Sequence, residues 1–425
     1  MNTPGRPSGP RQVVHHVVDP FARAGGYYLQ TWGRWLRHES RGGVAPIAPH
    51  PALALQATID ELVLAMARVG HRPRPADDWA RIEGEARLAL TQWEERGWID
   101  DPAAYHPAPP IAERLRWRTR SGSGLQYERL TFASGYEPPA GEPGRQRWLA
   151  LRSNRIAHVW VLRHEEPRPW LVNLHGAAMG QARVDLRTFK AAWLHHGLGL
   201  NLAFVVLPRH GPRREGLPFG VGFPDDDLLD NVHALAQTMW DTRRLLTWIR
   251  SETDLPVGVQ GLSLGGYSAA LLAGLDDELA CVIAGVPPVD LADLFERHAP
   301  HAFRHSAEWT RLVPLSRLVH QVVSPLAVTP VVPAERRFIY AGLADRLVHP
   351  KGQVERLWQH WGEPSIEWFR GGHVGFFFAN QIQSFLANAL DVSGLRPPAE
   401  HASNQCTASL SAVPQTSVSF RVRDR

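Results

Sequence analysis

Residues 255–267 read LPVGVQGLSLGGY, and the reading of this chain turns on the serine at position 263. The run PVGVQ (256–260) is expected to be a strand, and a helix is expected from residue 264. Two explanations fit a serine between glycines on such a turn. One is a plain strand-to-helix bend with an N-capping hydroxyl. The other is a nucleophile held on a strained bend, with its oxygen lifted above the sheet. In the second case Gly261 and Gly265 are needed because no Cβ fits beside so tight a turn, and Gly266 extends the small-residue patch. Residues elsewhere in the chain must decide between them.

Working outward, apolar runs alternate with helical patterns. Strands are expected at PWLVNLH (169–175), LNLAFVVLP (200–208), CVIAGV (281–286), RFIYAGL (337–343) and SIEWF (365–369). Helices are expected around 184–196, 227–251, from 264, from about 351 and from about 374. Upstream, RLRWRTR, LQYERLTF, RQRWLAL and IAHVWVL read as further strands. Buried strands alternating with helices predict an α/β fold with a mostly parallel twisted sheet covered on both faces. Before this region two amphipathic helices are expected. One carries Leu55, Ile59, Leu62 and Met66 at helical spacing; the other carries Trp79, Ile82, Ala86, Leu90 and Trp93, with Asp78 as N-cap and Gly97 as stop. The expected organisation is a loose N-terminus (1–25), a helical extension (26–110), an α/β domain (111–391) with a cap-like insertion around 289–335, and a disordered tail (392–425).

A serine hydroxyl needs a base to take its proton, and the base needs an orienting acid. Among 21 histidines, His373 stands out because it lies in RGGHVG just past a strand. Asp345, in AGLADRLVH, lies just past the preceding strand, 82 residues after Ser263 and 28 before His373. Asp290, in PPVDLAD after CVIAGV, competes for the acid role. An oxyanion site needs two N–H donors. Leu264, the residue after the serine, offers one at a helix N-terminus, and the loop NLHGAAMG offers Ala177, after His175 and Gly176.

These segments together resemble the α/β-hydrolase superfamily. The matching residues are His175-Gly176, the GLSLGG elbow, GLADRLV and GGH, spread over about 145–391. The LPRHG run (207–211) and the extra N-terminal strands are similar to the dienelactone-hydrolase, acetyl-esterase and prolyl-oligopeptidase-like branch. The resemblance implies a serine hydrolase with a Ser263, His373 and Asp345 triad, acting on a small-molecule ester or acyl substrate, with an amide or peptide as the alternative. His175, Gly176, Tyr267 and His210 become candidate pocket residues. HGAA departs from the HGGG form of many esterases, which leaves the acyl preference open. A non-enzymatic binding protein on the same fold is the competing reading, motivated by the unexplained N-terminal extension and tail, which could serve partners instead of chemistry.

Composition narrows the remaining classes. The net charge of +4 is accounted for by residues 1–25 (Arg6, Arg11, Arg23 against Asp19) and 392–425 (four Arg against Glu400 and Asp424), each +2, so the body between them is neutral. That argues against a nucleic-acid partner. MNTPGRPSGPRQVVHHVVDP lacks the apolar core of a signal peptide, and no run is long enough to span a membrane. With only Cys281 and Cys406, a cytoplasmic location is expected. His298, His301 and His305 are spaced suggestively for a metal, but Pro300 interrupts them and no carboxylate pair completes a site; no metal and no cofactor is expected. Oligomeric state leaves no mark in the sequence.

Overall fold

A computed structural model describes residues 23–34, 36–37, 51–69, 74–217, 222–299 and 301–396. Most of the N-terminal stretch and of the tail discussed above, with Cys406, lie outside the described residues.

The strands are β1 (Arg116–Gly122), β2 (Leu125–Ala133), β3 (Ile156–Leu162), β4 (Trp170–Leu174), β5 (Asn201–Val205), β6 (Val257–Leu262), β7 (Cys281–Gly285), β8 (Arg337–Gly342) and β9 (Ser365–Phe369). They form one sheet in the order β1-β2-β3-β5-β4-β6-β7-β8-β9. Pairs from β1 to β5 in that order are antiparallel, and all pairs from β5 through β4 to β9 are parallel. β4 and β5 exchange places next to the antiparallel β3, and β1 forms one edge of the sheet. That edge is blunted by Arg116, Arg118 and Arg120, all exposed.

Helices, in chain order, are α1 (23–34), α2 (Pro51–Val69), α3 (Ala76–Glu95), α4 (Arg145–Ala150), α5 (Ala182–Thr188), α6 (Leu228–Glu252), α7 (Leu264–Leu272), α8 (Leu291–His298), α9 (His301–Arg304), α10 (Ala307–Val319), α11 (Glu355–His360) and α12 (Asn380–Val392). Strand alternation sorts the core into two layers. Val172, Val259, Val282 and Ile339 face α3, α6, α7, α10 and α11, whereas Leu171, Leu202, Ile283 and Phe338 face α5 and α12. Trp93 of α3 is fully buried within the first layer. An indole of that size contributes about 5 kcal/mol of gross transfer free energy, so the helical extension shares a core with the sheet. Trp79 of α3 also stacks on Phe303 at 5.0 Å, and Arg311 of α10 pairs with Glu83, which joins the extension to the helical segment between β7 and β8.

Several expectations change. RQRWLAL is not a strand but contains α4: Gly144 at φ 76° starts a helical turn that buries only Trp148, while Arg147 reaches Glu85, Asp227 and Asp230. The expected helix at 184–196 breaks at Lys190 (φ 52°) into α5 and a wide turn at Trp193–Gly197. A tight turn at His373–Phe378 precedes α12, which starts later than expected. Helix α3 starts after Pro75, so Asp78 lies inside its first turn, where it faces the positive end of the helix dipole instead of capping it. The largest change concerns α2. Its expected apolar stripe is not its buried face: Leu55 is 59% and Leu62 37% exposed, Ile59 is half-buried, and among the described side chains the buried ones are Leu53, Gln56, Ala57, Asp60 and Glu61, the side chain of Met66 lying outside them.

Candidate active site

Ser263 joins β6 to α7 with φ 54° and ψ −117°, a conformation costly for a residue with a Cβ. Two backbone bonds hold it there: its N–H donates to Gly285 O (2.8 Å) and its carbonyl accepts the N–H of Tyr267 (2.9 Å). The glycines around it are clearance. A Cβ on Gly261 would run into the carbonyl of Gly265, and one on Gly265 would meet the carbonyls of Leu174 and His175. On Gly266 it would stand 2.8 Å from Gly285 O. The turn therefore brings α7 closer to β4 and β7 than any side chain permits.

The loops after β8 and β9 come together over this turn. His373 Nε2 lies 3.0 Å from Ser263 Oγ, and His373 Nδ1 lies 2.7 Å from Asp345 Oδ2. A carboxylate only accepts, so Nδ1 carries the proton and Nε2 is left to accept from the serine O–H. The other oxygen, Asp345 Oδ1, accepts the N–H groups of Leu347 (2.9 Å) and Val348 (2.8 Å). Burial disfavours a charged imidazole at position 373, but the charge and hydrogen bond of Asp345, with the charge of Asp60, outweigh it and raise the His373 pKa above the usual 6.5. Asp290 is engaged elsewhere. It caps α8 through the N–H of Asp293 (3.0 Å) and pairs with Arg356 (2.8 Å).

Sequence reasoning did not find two side chains from α2 that reach the histidine loop. Gln56 Oε1 accepts the N–H of Gly372 (2.9 Å), and Asp60 Oδ2 accepts the N–H of His373 (2.9 Å). The pattern GGHVG did carry a trace of them, since its glycines are where a Cβ would press on Gln56 and Asp60.

The loop after β4 lies beside the serine: a Cβ on Gly176 would be 3.4 Å from Ser263 Cβ. Ala177 is exposed at this point, and Leu264 opens α7, where the first N–H groups have no partner within the helix. His175 is 1% exposed and braces the loop from below, accepting the Leu207 N–H at Nε2 (3.0 Å) while Nδ1 lies 2.7 Å from Gly176 O. Burial, with the neighbouring His210, holds its pKa well below the usual value. His210 packs edge-on against it, 5% exposed, with Nδ1 2.9 Å from Pro208 O. Tyr267 departs from the pocket expectation: it has no exposed surface, and its hydroxyl donates to Val323 O (2.9 Å), because the inward face of α7 is core. Arg213, two residues after Gly211, is fully buried against Asp241 (2.9 Å). His298 Nε2 lies 2.8 Å from Leu347 O.

No family model matches the chain. Two proteins of Mycobacterium tuberculosis are similar to it over 385 residues, covering 90% of this chain and 92% of the relative in each case. They are the uncharacterized protein MT2702 of strain CDC 1551 / Oshkosh, at 45% identity, and the uncharacterized protein Rv2627c of strain ATCC 25618 / H37Rv, at 44%. Among solved structures, an acetyl xylan esterase from Paenibacillus sp. R4 is similar at 16% identity and TM-score 0.49, covering 69% of this chain and 93% of that one. Acetyl xylan esterase 1 from Thermoanaerobacterium sp. JW/SL YS485 is similar at 15% identity and TM-score 0.44, covering 68% and 98%.

Proposed function

The chain belongs to the family of the two Mycobacterium tuberculosis proteins, and we propose that it is a serine hydrolase of the α/β-hydrolase superfamily, cleaving a carboxylic ester through an acyl-enzyme. The observation that carries this reading is Ser263 on a positive-φ turn, with its Oγ 3.0 Å from an imidazole already oriented by Asp345. A plain capping serine needs neither the strain nor the partner.

In the proposed reaction His373 Nε2 takes the Ser263 proton as Oγ attacks the acyl carbonyl. The N–H groups of Leu264 and Ala177 receive the oxyanion, in a site where fixed donors act at low dielectric. Asp345 keeps the proton on Nδ1 before the step and stabilises the imidazolium after it. Collapse of the tetrahedral intermediate breaks the C–O bond, and His373 returns the proton to the departing alcohol. Water then attacks the acyl-enzyme by the same route and regenerates Ser263. An amide or peptide bond is the alternative substrate for the same machinery. No metal or cofactor enters this scheme.

The partner is read as a small molecule, with no role for nucleic acid. Among the described residues no helix is long and apolar enough to cross a membrane. A cytoplasmic location is the reading that suits Cys281, a buried free cysteine. The test of the function is covalent. A fluorophosphonate probe should label the protein, and Ser263→Ala should abolish labelling and cut turnover of p-nitrophenyl esters by several orders of magnitude. Labelling that persists in the variant would sink the assignment.

A further inference from the structure

Helix α2 turns a polar face toward the loop that carries His373, which is an unusual way to dock an amphipathic helix. Asp60 has no exposed surface, and Gln56 is 6% exposed. One oxygen of Asp60, Oδ2, accepts from the backbone of both partners' loops: the N–H of His373 at 2.9 Å and the N–H of Arg346, next to Asp345, at 3.3 Å. Gln56 takes the N–H of Gly372. The loop is shaped to receive them. A Cβ on Gly371 would stand 2.6 Å from Gln56 Oε1, one on Gly372 2.6 Å from Asp60 Oδ2, and one on Gly375 2.8 Å from Gln56 Oε1. Three glycines in five residues are thus accounted for by side chains more than 300 positions away in the sequence.

Resting on the serine-hydrolase reading above, we infer that Asp60 is a positioning residue of that reaction. It fixes the backbone of His373 and of the residue after Asp345, and it sets a second negative charge beside the imidazole. The groups facing Asp60 bear this out chemically. His373 and Asp345 come from the two loops, Arg346 and Glu61 form an ion pair alongside, and Tyr27 of α1 lies under the Arg346 guanidinium at 4.5 Å. Arg346 is therefore already matched by Glu61, and the imidazole is the cation that Asp60 can serve. Burial, then the Asp345 charge, push the Asp60 pKa up to about 6, while His373 and the two N–H donors pull it back. A buried carboxylate next to another is costly to keep. The cost has a return when His373 accepts the serine proton, because the imidazolium then meets two carboxylates.

The experiment measures the second-order rate of fluorophosphonate inactivation against pH for wild type, Asp60→Asn and Asp60→Leu. The wild-type rate should fall on the acid side with a midpoint above 6.5, since His373 must be neutral to act as base and its pKa is raised. Asp60→Asn can place its amide oxygen where Oδ2 takes both N–H groups, so it keeps the bonds and removes the charge. Its acid limb should move to lower pH by about half a unit or more, and its plateau should fall by a smaller factor than that of the leucine variant. Asp60→Leu loses the bonds as well, and its plateau should drop by about tenfold or more. An acid limb that stays in place in Asp60→Asn overturns the inference, whatever the leucine variant does or fails to fold into. A wild type that does not react at any pH overturns the hydrolase reading, and this inference with it.

Discussion

Asp345→Asn is a demanding test because the structure dictates which way the new amide must face. Asp345 Oδ1 accepts two backbone N–H groups, from Leu347 at 2.9 Å and Val348 at 2.8 Å. Turning an NH2 toward those donors would leave both unpaired, at about 1–3 kcal/mol each. The amide oxygen therefore stays at that position, and the NH2 points at His373 Nδ1. Nδ1 must then accept, so the ring proton moves to Nε2 and faces Ser263 Oγ as a donor. The hydroxyl no longer has a base. Reversing the tautomer in a Ser-His-Asp arrangement costs about 10^4-fold in kcat, or about 5.4 kcal/mol of barrier. Both backbone donors at position 345 keep their acceptor, so the thermal midpoint should stay close to wild type. The assay is p-nitrophenyl ester turnover and fluorophosphonate labelling on protein of verified thermal midpoint, with nitrogen chemical shifts of His373 reporting the tautomer. Activity within tenfold of wild type, with the variant folded, would falsify both the role of Asp345 and the tautomer reasoning.

Two further predictions concern the frame. Gly265→Ala sets a Cβ against the carbonyls of Leu174 and His175, which are backbone and cannot swing away. It should cost at least the ~1–3 kcal/mol typical of overpacking and lower the thermal midpoint; an unchanged midpoint would mean that α7 is free to move off β4. Asp241→Ala leaves the Arg213 guanidinium buried without its counter-charge, held only by the carbonyls of Val206 and Asn154, and should cost about 3–5 kcal/mol, whereas Asp241→Leu with Arg213→Met should recover part of the loss in thermal unfolding. A single variant as stable as the double one would count against that pair as the source.

That Ser263, Asp345 and His373 come together was legible because each lies in a short loop at a strand end, where local spelling and strand order carry the meaning. The parallel strands were legible for a related reason: their Val, Ile and Leu runs are buried on both sides. Local spelling failed where a segment's partner decided its form. RQRWLAL alternates like a strand, yet Arg147 is drawn to Glu85, Asp227 and Asp230, and one helical turn satisfies that geometry. Helix α2 misled in a more instructive way. Hydrophobic periodicity selects an apolar face, so Leu55, Ile59 and Leu62 pointed away from the face carrying Gln56 and Asp60. A polar face is recognisable as a docking face only when its donors are known, and those donors are backbone N–H groups of residues 372 and 373.

That separation has a consequence for synthesis. The clamp joins residues 313 apart, and at ~5–20 residues per second the ribosome needs about 15–60 s to travel from one half to the other. During that interval α2 has emerged with a carboxylate and an amide facing a surface that has not yet been made. Its final seat leaves the tunnel more than 300 residues after it, so closing this contact carries the entropy of a very long loop. The histidine loop gains its hold on α2 only once residue 373 has been translated, and a nascent chain cut short of that residue would lack that hold altogether.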